Sequence, residues 1–351
     1  MFLQAENLNE AFICLCQELF YHGEDVTRRG FKCREIPRAV LVEITNPVDR
    51  YVRVPERKWN KVLGWVESLW IARGDNALEM PAAYVKNLKN FSDDGIHMRA
   101  GYGPRFRHYG DNGEFKPLFN LPISTGFPVD QLRFVIEKFK EDIDTREAVV
   151  TIHDPVMDDF GPVDNSGVAP VLRTKDTPCT RSIHFMIVNG AMNCYVDIRS
   201  NDVVWGFSAV NVFNFTLMQE YVAALVGVPV GKYYHKADNL HVYENFLPLV
   251  EEIAKKYTGN EYPSGTRFAY KPSYKTLQEF DAYIGKLSTF EELCRGKKVP
   301  AEELEVILRT FTDDLFNDWA KVFFTYWTKH PVEFTNPLLN EIFCFDELRE
   351  N

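Results

Sequence analysis

Between residues 146 and 243 the chain gathers a thiol at Cys179, guanidinium groups at Arg146 and Arg199, and short polar side chains at Ser200, Asp202, Asn211, His241 and Tyr243. That combination suits an anionic heterocyclic substrate. Arginine matches a phosphate bidentately. Nearby cations lower a thiol's pKa and enlarge its thiolate fraction. An asparagine on an otherwise apolar stretch offers a donor and an acceptor to a planar base edge. Each feature also has a plainer reading. Cys179, in "KDTPCTRSIHF", can be a buried small hydrophobe, the charges a solvated flank, and Asn211 a helix cap. A further carboxylate, Glu67, lies among Trp59, Leu63, Trp65, Val66, Leu69 and Trp70. It is either at a helix edge or buried for a purpose.

The elements that must position these groups have recognisable patterns. In "SIHFMIVNGAMNCYVDIRS" two β-rich runs flank Asn189-Gly190, the pair favoured in a two-residue hairpin. Arg199 then falls on the polar face near a strand end. Residues 211–228 have helical period and few charges and read as a buried helix closed by Pro229 and Gly231. "KADNLHVYENF" reads as a short polar strand. Helices are expected over 7–20, over 57–73, and from Asp130 as N-cap through Phe139. "RAVLVEITNP" and "REAVVTIHDP" read as strands. Beyond about residue 246 the chain turns helical, over 246–258, 275–296 and 301–330.

Composition narrows the function classes. The chain has 351 residues, 45% of them hydrophobic, and a formal net charge of −10. The charge disfavours a general nucleic-acid-binding surface, so an anionic ligand needs a local arginine cluster. Seven cysteines without framework spacing point to free thiols in a reducing compartment. No metal site is expected from them. No apolar run approaches membrane-spanning length, and the N-terminus lacks signal-peptide features. The expectation is a soluble cytoplasmic protein.

The segment "TPCTRSIHFMIVNGAMNCYVDIRSNDVVWGFSAVNVFN", continued by "VGKYYHKADNLHVY", resembles the thymidylate synthase and pyrimidine nucleotide hydroxymethylase family. The resemblance rests on Pro178-Cys179, Arg199-Ser200-Asn201-Asp202, Gly206, Asn211 and His241-Val242-Tyr243, and covers roughly residues 10–245. It implies an α/β (α+β) three-layer fold with a large mixed sheet at a dimer interface. A helical C-terminal extension, 246–351, would pack on the 1–245 catalytic domain.

The resemblance also implies roles. Cys179 would attack C6 of a pyrimidine nucleoside monophosphate. Arg199, Ser200 and Arg28, from "TRRGF", would hold its phosphate. Arg146 would be lent across a homodimer to the partner's phosphate site. Glu67 would organise waters and move protons, and Tyr102 would stand near the nucleophile. Asn211 would read the base, and His241 and Tyr243 the sugar hydroxyl. Asp202, Trp205 and Gly206 would bind the co-substrate 5,10-methylenetetrahydrofolate, with no metal.

Departures from the family pattern set the expected product. Glu147 stands where a second arginine is usual, and Ala209-Val210 replaces Pro-Phe before Asn211. Trp205 takes a usually aliphatic position, and one extra residue separates Gly206 from Asn211. The folate-packing tryptophans are replaced by Leu88 and Phe91. The end, "FCFDELREN", is unlike the sealing tail of a synthase. Once a thiolate adds at C6, C5 can take a one-carbon unit, and admission of water decides between hydroxymethyl and methyl products. The expectation is C5 hydroxymethylation, with dUMP ahead of dCMP or CMP. Thymidylate synthesis is the alternative. A catalytically silent nucleotide- or RNA-binding relative is the third reading, and the intact Cys179, Glu67 and Asn211 set speaks against it. If the chain is phage-encoded, the compartment is the host cytoplasm.

Overall fold

A computed structural model describes residues 1–109, 129–161, 163–265 and 267–343. The strands are β1 (Phe2–Ala5), β2 (Glu24–Arg28), β3 (Phe31–Glu35), β4 (Val40–Ile44), β5 (Val149–Thr151), β6 (Thr180–Val188), β7 (Ala191–Ile198), β8 (Asn201–Asp202), β9 (Val230–Ala237) and β10 (Leu240–Tyr243). Six form a mixed sheet in the order β1-β4-β9-β7-β6-β5. Its β1–β4 and β7–β9 pairs are parallel and the others antiparallel. The other four form a small sheet, β2-β3-β10-β8.

The α-helices are α1 (Leu8–His22), α2 (Leu63–Ala72), α3 (Glu79–Tyr84), α4 (Tyr102–Arg107), α5 (Gln131–Glu141), α6 (Pro155–Asp158), α7 (Val212–Val226), α8 (Leu247–Lys256), α9 (Leu277–Gly296), α10 (Ala301–Leu308), α11 (Asp314–Thr328) and α12 (Pro337–Ile342). Helices α1 and α7 lie against one face of the large sheet. The strands alternate accordingly: on β9, Tyr233, His235 and Ala237 point into the core while Lys232, Tyr234 and Lys236 point away. On the outward face Glu43, Tyr234, Tyr195 and His184 are cross-strand neighbours in one row. Tyr195 and Tyr234 stack there with centroids 4.6 Å apart.

The hairpin forms as expected. Asn189 and Gly190 take φ of 54° and 77°, the left-handed pair that a twisted two-residue turn demands. Asp130 caps α5 by accepting from the N–H groups of Leu132 and Arg133. Other expectations are corrected. The 57–73 segment is helical only from Leu63, because Asn60 initiates a new turn by accepting from the Val62 N–H. Helix α7 is closed by Gly227, at φ 84°, before Pro229 is reached. The 301–330 segment breaks at 309–313, where Asp313 caps α11. Strands β1, β2, β3, β8 and β9 had no counterpart in the sequence reading.

The C-terminal helices pack on α2. The Trp319 indole donates to the Trp65 carbonyl at 3.0 Å. The Tyr84 hydroxyl donates to Glu291 at 3.0 Å and accepts from the Trp327 indole at 2.7 Å. The tail from Cys344 onward, on which the expected product partly rested, lies outside the described residues.

Candidate active site

Cys179 immediately precedes β6, and Arg199 immediately follows β7. Pairing of Thr180 with Ile198 puts the two ends side by side. The Arg199 N–H donates to the Cys179 carbonyl at 2.9 Å. Its guanidinium donates to the Pro178 and Thr177 carbonyls at 3.0 and 3.1 Å. Arg199 therefore grips the loop that presents the sulfur. Burial pushes the Cys179 thiol up, Arg199 and Arg29 pull it down, and Asp176 pushes it up. Unlike Cys16, Cys33, Cys194 and Cys294, Cys179 is not fully buried. It is half-buried, as is Cys14, and packs against the hydrophobic core.

A polar network adjoins this loop. The Asn239 amide donates to Glu35 at 2.7 Å. Its carbonyl accepts from His241 Nδ1 at 2.9 Å and from the Ser200 hydroxyl at 3.3 Å. A carboxylate only accepts, so Glu35 fixes which way the amide faces. That fixes the histidine too: Nδ1 carries the proton, and Nε2 is left as an acceptor suited to a hydroxyl. Burial depresses the His241 pKa against the Glu35 charge, which favours the neutral ring.

Arg28 lies at the end of β2. It pairs with Glu35 at 2.5 Å on the edge of the small sheet. The β2–β3 turn is made by Arg29 and Gly30, both left-handed (φ 52° and 84°). It is the Arg29 charge that reaches Cys179 and Tyr243. Tyr243 packs edge-on against His241, with centroids 5.1 Å apart.

A second group of residues meets across α2, α4 and α7. Glu67 Oε2 accepts from the Asn214 amide at 3.0 Å, and the Asn214 carbonyl accepts from the Ser68 hydroxyl at 3.0 Å. Glu67 is only partly exposed. Burial pushes its carboxyl up to about 7, and the Asn214 hydrogen bond opposes that rise. Asn211, one turn before Asn214, has no side-chain hydrogen bond among the described residues and is half-buried. The Tyr102 ring stacks on Phe215 with centroids 6.1 Å apart. Its hydroxyl accepts from the Thr180 hydroxyl at 3.0 Å.

The Glu67–Asn214 bond yields a pH prediction. A donor to a carboxylate favours its ionised form. Removing it with Asn214→Ala raises the Glu67 pKa above its present value near 7, by about one unit. The acid limb of kcat/KM then moves to higher pH, so activity falls about fivefold at neutral pH and recovers in alkali. An unmoved acid limb in a folded Asn214→Ala protein would show that Glu67 is not the group titrating.

Asp202 begins a π-helical stretch, Val203–Asn211. One carboxylate oxygen accepts from the N–H groups of Val204 and Trp205 at 3.0 and 2.5 Å. The other, Oδ2, is buried and, among the described residues, makes no hydrogen bond of good geometry, although the Tyr243 N–H also acts on the carboxylate. Burial raises Asp202 to about 6, against the bonds from those two N–H groups and the Arg57 charge. Arg57 in turn donates to the Val204 carbonyl at 2.6 Å. A side chain at Gly206 would meet the Asn201 amide nitrogen at 2.2 Å and Asn211 Nδ2 at 3.5 Å. Trp205 is 49% exposed and lies edge-on to Phe246.

Arg146 stands apart from these groups. It is exposed, just before the edge strand β5. Glu147 pairs with Lys138 of α5 at 2.9 Å. Sequence reasoning missed Arg29, Glu35, Asn214 and Asn239. Only Arg29 had a local signal, the Arg-Gly pair at a turn; the others are recognised by what they touch. Among the described residues no group of three or more His, Cys, Asp and Glu side chains is placed to hold a metal ion.

Comparison with known proteins adds to this geometry. The family model described as "Thymidylate synthase" matches residues 10–287. A deoxyuridylate hydroxymethyltransferase of Bacillus phage SP01 is 34% identical over 253 residues, 72% of this chain and 61% of that protein. One of Pseudomonas phage M6 is 30% identical, over 74% of this chain and 68% of that protein. A thymidylate synthase of Haemophilus influenzae (strain PittEE) is 27% identical, over 78% of this chain and 91% of that protein. The chain thus spans under two thirds of the length of the Bacillus phage relative.

Proposed function

Because this chain belongs to the thymidylate synthase family, we propose that it transfers a one-carbon unit from methylenetetrahydrofolate to C5 of a pyrimidine nucleoside monophosphate. The favoured substrate is dUMP and the product a 5-hydroxymethyl nucleotide. The observation that carries this reading is a line of contacts that joins residues far apart in sequence. It runs from Cys179 through Thr180 to the Tyr102 hydroxyl, from the Tyr102 ring to Phe215, and from neighbouring Asn214 to Glu67.

In this reading Arg199 and Ser200 receive the 5′-phosphate, with Arg29 or Arg28 from the β2–β3 turn. His241 Nε2 and Tyr243 take a sugar hydroxyl. Asn211, with its amide unpaired, reads the base. The Cys179 sulfur adds at C6, which makes C5 nucleophilic. Glu67 sits where it can hold or pass a proton near neutral pH. The folate supplies a one-carbon unit at the formaldehyde oxidation level. Asp202, Trp205, and Gly206, where only a hydrogen fits, would hold it.

The phage relatives named as hydroxymethyltransferases favour water over hydride as the final addition. So does Phe91, 61% exposed at a position where synthases place a packing tryptophan. Arg146, exposed beside the edge strand, is proposed to reach a partner's phosphate site across a dimer. The tyrosine-bearing outward face of the large sheet is the surface proposed for that dimer. No described helix is long and apolar enough to cross a membrane. The proposed setting is the cytoplasm, that of the host if the chain is phage-encoded.

The product decides between the readings. Mass spectrometry of the nucleotide after incubation with dUMP and methylenetetrahydrofolate is expected to show a 5-hydroxymethyl group, without the absorbance rise of dihydrofolate. A methylated nucleotide with stoichiometric dihydrofolate would make the chain a synthase. No release of C5 tritium at all would leave only nucleotide binding.

A further inference from the structure

Thr180 is fully buried, and both of its hydrogen-bond donors end on one atom. Its hydroxyl donates to the Tyr102 oxygen at 3.0 Å and its backbone N–H donates to the same oxygen at 3.3 Å. The N–H is available because the β6–β7 ladder is irregular there. Thr180 pairs with Ile198 and Ser182 with Asp197, which leaves Arg181 as an extra residue. On the other side the Tyr102 ring is fixed by its stack on Phe215, with planes 20° apart.

A hydroxyl oxygen offers two lone pairs and one proton. With a donor on each lone pair, the phenol has only its proton left to share. Cys179 is the residue next to Thr180, and its charge acts on Tyr102. We propose that Thr180 is a positioning residue that commits the Tyr102 hydroxyl to donate, rather than accept, on the Cys179 side of the cleft. Tyr102 then stabilises negative charge, on the sulfur or on a water beside it, and does not remove protons. The inference rests on Cys179 being the nucleophile proposed above.

The test uses the full-length chain and iodoacetamide, with labelling read at the Cys179 peptide across pH. The charged groups around the sulfur, Arg199, Arg29 and Asp176, and the titratable Tyr243 stay unchanged in every variant. Thr180→Val is expected to slow Cys179 alkylation at neutral pH by about threefold to tenfold, the worth of one hydrogen bond. Tyr102→Phe should slow it at least as much, and Thr180→Ser should restore it to within about twofold of wild type. Because Thr180 acts through Tyr102, the double variant should be no slower than Tyr102→Phe alone. If Thr180→Val melts far below the wild type, Thr180→Ala makes the same comparison without the added methyl.

A double variant slowed by the product of the two single effects would overturn the inference. So would a Thr180→Val profile that superimposes on the wild type. The assay contains neither nucleotide nor folate. A protein that makes no product yet shows this pattern loses the proposed reaction and keeps the donor role of Tyr102.

Discussion

Cys179→Ala is expected to bind nucleotide and to release no C5 tritium, with turnover down by on the order of 10⁴-fold or more. The groups proposed to hold the substrate do not depend on the sulfur. Arg199 is fixed by the Pro178 and Thr177 carbonyls and His241 by Asn239. Removing one sulfur atom leaves both arrangements standing. What disappears is the bond to C6 without which C5 cannot react. Tritium release from a C5-labelled nucleotide in the presence of methylenetetrahydrofolate, alongside calorimetric binding of the same nucleotide, separates the two effects. Substantial turnover in Cys179→Ala would end the assignment of the nucleophile. Loss of binding together with loss of turnover would mean that the loop held by Arg199 depends on the thiol for its shape.

Asn211→Asp is expected to move the preference of the enzyme from uracil toward cytosine. An amide accepts from uracil N3–H and donates to O4. Cytosine presents an acceptor at N3 and a donor at N4, which a protonated carboxyl group matches. A buried polar group left unpaired costs about 1–3 kcal/mol, or roughly tenfold to over a hundredfold in kcat/KM. Comparing dUMP and dCMP on the wild type and on Asn211→Asp measures this directly. A wild type that prefers dCMP would overturn the reading of the amide. The extra residue between Gly206 and Asn211 stands in the way of this argument only if it rotates Asn211 out of register. The π-helical stretch Val203–Asn211 absorbs that residue within the helix. Asn211 remains at the entrance to α7, with Gly206 beside its amide.

What was legible in the sequence followed from local physics. Asn-Gly between two β-rich runs dictates a hairpin, and Asp130 before a periodic run dictates a helix start. Strand β9 was missed because His235 takes an inward place and Tyr234 an outward one, which blurs its apolar alternation. His235 is buried there only because Tyr233 and Asn201 satisfy both of its ring nitrogens at 2.9 Å. Glu67 was ambiguous for a similar reason. Whether a carboxylate among tryptophans is at an edge or enclosed depends on α7 and on Asn214, about 150 residues away in sequence. The network around Glu35 and Asn239 spans 204 residues of sequence separation. No window along the chain contains it.

Helix α2 also sets a condition on how the protein is made. Nine of its ten residues are buried, and only Glu67 is not. It therefore has no polar face to show water. Part of its cover is Trp319, 254 residues further along the chain. At about 5–20 residues per second, a ribosome takes roughly 13–50 s to supply that cover. For that interval the nascent chain carries an incompletely covered apolar helix bearing Glu67. Synthesis of the segment that holds Trp319, rather than of the segment that holds Cys179, is the step that covers α2.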